Sequence, residues 1–249
     1  MLSRQIKIKL VFVRMKKLEI KKLKVRANRR EILKGIDLKI NRGETQALLG
    51  PNASGKSTLA QVILGNPKYK VTQGEIFFEG RDITKFPPEK RAKLGIALAW
   101  QSPPVIKGVK LSRLLKEISR KEIEISDGRE LLKREVNLDF SGGEKKISEL
   151  LQVLVLNPKL VIFDEIDSGL DLKRLEKVAK IIKKELVAKK VSVLLITHSG
   201  EILRFLKPKV TNVMINGKLI CKQKNFRKVL RTIKKYGYEK CKKHTLSPN

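Results

Sequence analysis

The sequence predicts an α/β fold with a mixed central sheet, antiparallel strands toward the N-terminus and one short helical insert. Three observations carry this. Leu160-Val161-Ile162-Phe163 and Ser192 to Ile196 are unbroken apolar runs, the pattern of parallel strands buried on both faces. Helical patterns at Lys56 to about Leu64, Glu144 to Leu156 and Leu172 to Val187 alternate with such strands. The two ends of the chain instead carry antiparallel pieces. One of them, Val210 to Ile215 and Lys218 to Cys221, turns at Asn216-Gly217, the dipeptide of a type I′ hairpin.

Along the chain, Leu18 to Val25 alternates as a strand and Ile36 to Ile40 gives a second. Asn41 to Glu44 is a turn, and Gln46 to Leu49 a short apolar strand. A glycine-bounded loop, Gly50 to Gly55, leads into the helix at Lys56. Asn66-Pro67 breaks the chain before a strand at Gly74 to Phe78. From Pro103 to Asp139 the pattern is polar and helical, with Leu111, Leu114, Leu115 and Ile118 at helical spacing. Residues 15–249 thus read as one domain with an insert at about 102–140. Met15-Lys16-Lys17-Leu18 looks like a natural start, so residues 1–14 are expected to be an extension and Met15 the initiator.

The 249 residues include 57 Lys+Arg and 25 Asp+Glu, a net charge of +32. The excess sits at the ends: residues 1–42 hold 15 basic against 3 acidic, and residues 202–249 hold 14 against 1. It is scattered lysine with few aromatics to stack bases, so nucleic acid is not the expected partner. Two cysteines, Cys221 and Cys241, exclude a disulfide framework and a four-thiolate metal or cluster site. No apolar run approaches the roughly 18 residues of a membrane span, and a cytoplasmic location is expected.

Gly50-Pro51-Asn52-Ala53-Ser54-Gly55-Lys56-Ser57, followed by Thr58, fits G-x-x-x-x-G-K-[ST] between a strand and a helix. Such a loop turns successive N–H groups inward around a phosphate, and the helix adds its positive end. Lys56 would reach the β- and γ-phosphates, and the Ser57 hydroxyl would ligate Mg²⁺. The strand Leu160 to Phe163 ends in Asp164-Glu165, which puts two carboxylates at the same sheet edge: Asp164 for Mg²⁺ and Glu165 as the general base on water. Ser141-Gly142-Gly143-Glu144 heads a helix whose exposed amides suit a γ-phosphate.

In this order these residues resemble the nucleotide-binding domain of ATP-binding cassette (ABC) ATPases, a P-loop NTPase fold. Ser141 to Glu144 resembles the signature motif, Gln101 the Q-loop, Ser168-Gly169-Leu170-Asp171 the D-loop and His198 the switch histidine. Further details are similar to the SufC family, ATPase subunits of the SUF iron–sulfur assembly system. These are Phe140 to Lys146, Asp164 to Asp171, Trp100 to Pro104 with Ile106 to Val109, and Tyr236-Gly237-Tyr238; the likeness runs from about Leu18 to Tyr238.

The resemblance implies ATP and Mg²⁺ as cofactors, with Gln101 joining Ser57 and Asp164 at the metal and His198 joining Glu165 in hydrolysis. It implies a chain that is monomeric when free and closes head to tail with a second copy around ATP, Ser141, Gly142, Gly143 and Asp171 completing the site. The Q-loop and insert would dock a SufB- or SufD-like scaffold or a transmembrane subunit. Three functions stay open: iron–sulfur assembly, membrane transport, and a nucleic-acid-associated ATPase suggested only by charge. The signature and D-loop variants favour the first, and so does the cysteine count, since a cluster would sit on another chain. Ala53 replaces a usual Gly, the insert is short, and Val25 or Ala27 stands near the place of the usual adenine-stacking aromatic. Lys145 or Lys146, one turn from Ser141, is expected to pair with Glu165 at rest.

Overall fold

The computed structural model describes residues 16–100, 103–119 and 128–241. Met15, Gln101 and the extension at residues 1–14 lie outside them. The alternation near the N-terminus resolves into an antiparallel sheet of order β2-β1-β4-β5, formed by β1 (Lys16–Ala27), β2 (Arg30–Asn41), β4 (Lys70–Phe78) and β5 (Arg81–Asp82). Leu18, Ile20, Leu23 and Val25 of β1 are all fully buried.

The apolar runs form the central sheet. β3 (Thr45–Leu49), β6 (Ile96–Ala99), β9 (Leu160–Asp164), β10 (Ser192–Thr197) and β11 (Val210–Ile215) lie parallel, and β12 (Lys218–Gln223) closes one edge antiparallel to β11. The order is β12-β11-β3-β10-β9-β6. Strand residues alternate between faces, and this divides the core in two. Leu160, Ile162, Leu194 and Ile196 pack toward the antiparallel sheet and α1 (Lys56–Leu64). Val161, Phe163, Val193 and Leu195 pack toward α4 (Gly142–Val155), α5 (Leu172–Ile182) and α7 (Phe226–Tyr236). Two shorter helices precede α4, α2 (Pro88–Lys93) and α3 (Leu111–Ser119), and α6 (Leu203–Leu206) follows β10. Among the described residues no helix is long and apolar enough to cross a membrane.

Register fixes the functional edge. Ile196 of β10 lies opposite Leu48 of β3 on one side and Asp164 of β9 on the other. The carboxyl ends of three neighbouring strands therefore come level, and the segments that follow them share one rim.

The insert differs from its helical reading. Only Leu111–Ser119 is α-helical among its described residues; β7 (Ile106–Lys110) and β8 (Glu135–Val136) pair antiparallel around it, and a 3₁₀ turn covers Arg129–Lys133. Gly108 at φ +74 and the Pro103-Pro104 pair disfavour helix at its start. The helix after Leu172 is regular to Ile182 and ends in a π turn, Lys183–Val187.

A charge cluster joins the two sheets. Glu79, just after β4, accepts from Lys17 of β1 at 2.7 Å, Arg42 of the β2–β3 turn at 3.0 Å and Lys159 before β9 at 2.9 Å. Burial alone would raise its pKa, but hydrogen bonds and charge from Lys17 and Lys159 bring it down to about 2.

Candidate functional site

The phosphate loop leaves β3 and enters α1 through Gly55 at φ +106, a left-handed turn that glycine takes without strain. Lys56, buried, donates from Nζ to the carbonyls of Gly50 and Pro51, both at 2.9 Å. Burial pushes its pKa down, and the charges of Glu165 and Asp164 oppose the fall. Ser57 Oγ donates to Asp164 Oδ1 at 3.2 Å. Burial pushes Asp164 up, with the Ser57 hydrogen bond acting against it. A hydroxyl beside a carboxylate is a hard-oxygen pair of the kind Mg²⁺ takes with a nucleotide, so these two residues fit that ion. The Ser54 hydroxyl, buried without a protein partner, is a polar atom that a phosphate would satisfy.

Glu165 follows β9 in left-handed backbone, φ +54. Its N–H donates to the Ile196 carbonyl of β10 at 2.9 Å, and its own carbonyl accepts from Lys146 Nζ of α4 at 3.2 Å. Of the two lysines singled out by sequence, Lys146 is thus the one that reaches Glu165, and through the backbone carbonyl. Its pKa is lowered by burial against the charges of Glu149, Asp167, Glu165 and Asp164. The Glu165 carboxylate faces His198 Nδ1 at 3.4 Å. The loop carrying His198 is fixed by Asp167, whose Oδ2 accepts from Thr197 at 2.6 Å and Ser199 at 2.7 Å.

One cleft therefore joins the phosphate loop from Asn52 to Thr58 with Glu165 and His198. Gly50 and Pro51 do not line it and are joined to it through the Lys56 bonds. Ser141, Gly142, Gly143 and Asp171 do not line it. They head neighbouring helices: Ser141 caps α4 in a reciprocal box with Glu144, and Asp171 caps α5 by accepting from Arg174 N at 2.9 Å. Arg174 also packs on Gly143, where a Cβ would come within 2.8 Å of its Cδ, so the two helix heads interlock. Gln101 lies outside the described residues.

Two walls of the cleft escaped the sequence reading. Arg30, Glu31, Ile32 and Lys34 of β2 form one, where an aromatic was sought; Val25 is fully buried in the core and cannot receive a base. The β11–β12 turn forms the other. Gly217 donates its N–H to Ser54 O and accepts from Lys34 N, both at 2.9 Å, and a Cβ there would meet Ile32 O at 1.9 Å. The Asn216-Gly217 pair was the available signal: both residues have positive φ, as a type I′ turn demands.

The family model described as "ABC transporter" matches residues 33–168. The "Probable ATP-dependent transporter ycf16" of Cyanophora paradoxa is 41% identical over 225 residues, 82% of this chain and 86% of that protein. The "Vegetative protein 296" of Bacillus subtilis (strain 168) is 39% identical over 223 residues, 82% of this chain and 85% of that one. Among solved structures, a nucleotide-free ATP-binding cassette from an ABC transporter superposes with a TM-score of 0.77 at 24% identity, covering 91% of this chain and 98% of its own. A dimeric cassette in a post-hydrolysis state with ADP and Pi gives 0.68 at 22% identity, covering 83% and 98%.

Proposed function

Since this chain belongs to the ABC transporter family of ATP-binding proteins, we propose that it is a Mg²⁺-dependent ATPase subunit that closes with a second copy around ATP and drives iron–sulfur cluster assembly on a scaffold chain. What supports hydrolysis is the convergence of the Lys56 loop, the Ser57–Asp164 pair and the Glu165–His198 pair on one rim. Lys56, already presented to the loop carbonyls, transfers its hydrogen bonds to the β- and γ-phosphate oxygens. Ser57 and Asp164 would hold Mg²⁺, which neutralises developing phosphate charge when bound.

Glu165 is the proton acceptor. Its backbone is pinned from β10 and from α4, so its carboxylate has a defined place from which to take a proton from the attacking water. His198, 3.4 Å from that carboxylate, would donate toward the γ-phosphate. Ser141, Gly142 and Gly143 head α4 outside their own chain's cleft, as a site completed across two chains requires. Gly142 has open space above it for a phosphate to approach.

The assembly role rests on the SufC-like residues Phe140 to Lys146 and Asp164 to Asp171. Membrane transport is the second reading, favoured by the names of relatives such as the ycf16 protein. A tagged Glu165→Gln chain with ATP and Mg²⁺ separates them, because it should bind nucleotide, stay closed as a dimer and retain its partner in a detergent-solubilised native lysate. Recovery of a soluble, cysteine-bearing, iron-loaded chain supports assembly. Recovery of a multi-span membrane protein overturns it, and a variant that stays monomeric with ATP and Mg²⁺ overturns the closed dimer.

A further inference from the structure

The C-terminal segment reaches back into the catalytic rim. After α7 the chain turns at Gly237, φ +73, and places Tyr238 so that its hydroxyl donates to the His198 backbone carbonyl at 2.8 Å. Burial raises the Tyr238 pKa, and the nearby Cys241 thiol adds to the rise. The phenol of the C-terminal segment is therefore hydrogen-bonded to the backbone of the switch residue itself. That residue follows β10, the parallel neighbour of the β3 strand from which the phosphate loop leaves.

The helix before it presses on the same loop. Gly200, two residues past His198, has φ +72, and a Cβ there would come within 2.5 Å of Leu230 Cδ2 on α7. Val229 of α7 and Cys241 after Tyr238 are both buried, which anchors the segment on either side of the tyrosine. A side chain that only filled space would need no hydroxyl here. A phenylalanine would pack the same ring and leave the His198 carbonyl without this partner.

We propose that Tyr238 is a positioning residue for ATP hydrolysis: its hydroxyl ties the His198 loop to the C-terminal segment, and so sets where His198 stands relative to the γ-phosphate. This rests on the ATPase reading above. Tyr238 acts through His198, whose backbone carbonyl it holds. The C-terminal helix is thereby mechanically joined to the switch histidine, and a displacement of α7 is transmitted to the reaction.

The test compares full-length wild type with Tyr238→Phe, alone and in a His198→Ala background. Loss of one neutral hydrogen bond predicts a fall in kcat of about five- to tenfold with KM for ATP and ATP affinity within about twofold. In the His198→Ala background the same substitution should leave the residual rate within about twofold, because the residue it positions is gone. An unchanged kcat in the single variant, or an equal fall in both backgrounds, overturns the proposal. Hydrogen exchange at the Gly200 amide, which donates to Thr197 Oγ1 across the His198 loop at 2.9 Å, is read in parallel and needs no turnover. It should quicken by about tenfold in Tyr238→Phe; unchanged exchange overturns the brace even if wild type proves inactive. An inactive wild type with quickened Gly200 exchange would count against the ATPase reading, and against Tyr238 as a residue for hydrolysis with it.

Discussion

Two glutamates in this molecule share a backbone and differ in everything around it. Glu79 follows β4 at φ +51 and Glu165 follows β9 at φ +54, both left-handed, a conformation that costs a side-chain-bearing residue on the order of 1–2 kcal/mol. Glu79 has three cations within 3.0 Å, and they offset the strain by tying the antiparallel sheet to the central one. Glu165 is pinned by its backbone, while its carboxylate faces a histidine at 3.4 Å across a cleft. In the first case the side chain stabilises the turn. In the second the turn aims the side chain, and the carboxylate faces His198 across the cleft.

The sharpest way to break this comparison is to remove each charge without changing shape. Glu165→Gln keeps the backbone and should lower ATP turnover by about 10²- to 10⁴-fold, the contribution of a general base, with a shift in unfolding free energy below about 0.5 kcal/mol. Steady-state hydrolysis and urea unfolding on the same preparation check both halves. A large stability loss with modest loss of turnover would make Glu165 a structural residue like Glu79.

Glu79→Gln should do the reverse. Turnover changes little, and stability falls by about 1–2 kcal/mol, a figure held down because the carboxylate is partly solvated. The effect carries a pH signature. The folded pKa is depressed from 4.5 to about 2, so the ionised cluster contributes fully above about pH 4.5 and loses that contribution as pH falls toward 2. Wild type and variant should therefore unfold at different urea concentrations at pH 7 and converge between pH 4.5 and 2. A gap that persists at pH 2 would mean that the charge is not the source.

How much of this was legible follows from sequence distance. Helix α1 was read to both ends because its signals are local: Gly55 and Gly65 flank it in left-handed conformation and the apolar residues repeat between them. The phosphate loop, Asp164 and Glu165 were legible because a strand end specifies where its next residues go. Strand β6 was missed, since Ile96-Ala97-Leu98-Ala99 is short and weakly branched, and its identity comes from lying beside β9. The Arg30 to Lys34 wall, the Glu79 cluster and the Tyr238 contact were illegible for the same reason: each joins segments that only the sheet order brings together. Glu79, whose partners stand at positions 17, 42 and 159, has no periodicity to betray it.

A third left-handed residue sharpens the comparison at its weak end. Ala53 has φ +59 in the phosphate loop, exposed, at the position where the sequence departs from glycine. Its methyl group makes no ion pair as Glu79 does and has no chemistry to aim as Glu165 does, so nothing from the side chain offsets the strain. Ala53→Gly removes a penalty of about 1–2 kcal/mol in the folded chain and adds about 0.4–1 kcal/mol of unfolded-state entropy. The expected balance is a gain of between zero and about 1.6 kcal/mol, read as a small rise in the urea midpoint at unchanged slope. If the variant is less stable instead, the loop does not strain alanine at all. The cost assigned to left-handed backbone at Glu79 and Glu165 would then need to be lowered by the same amount.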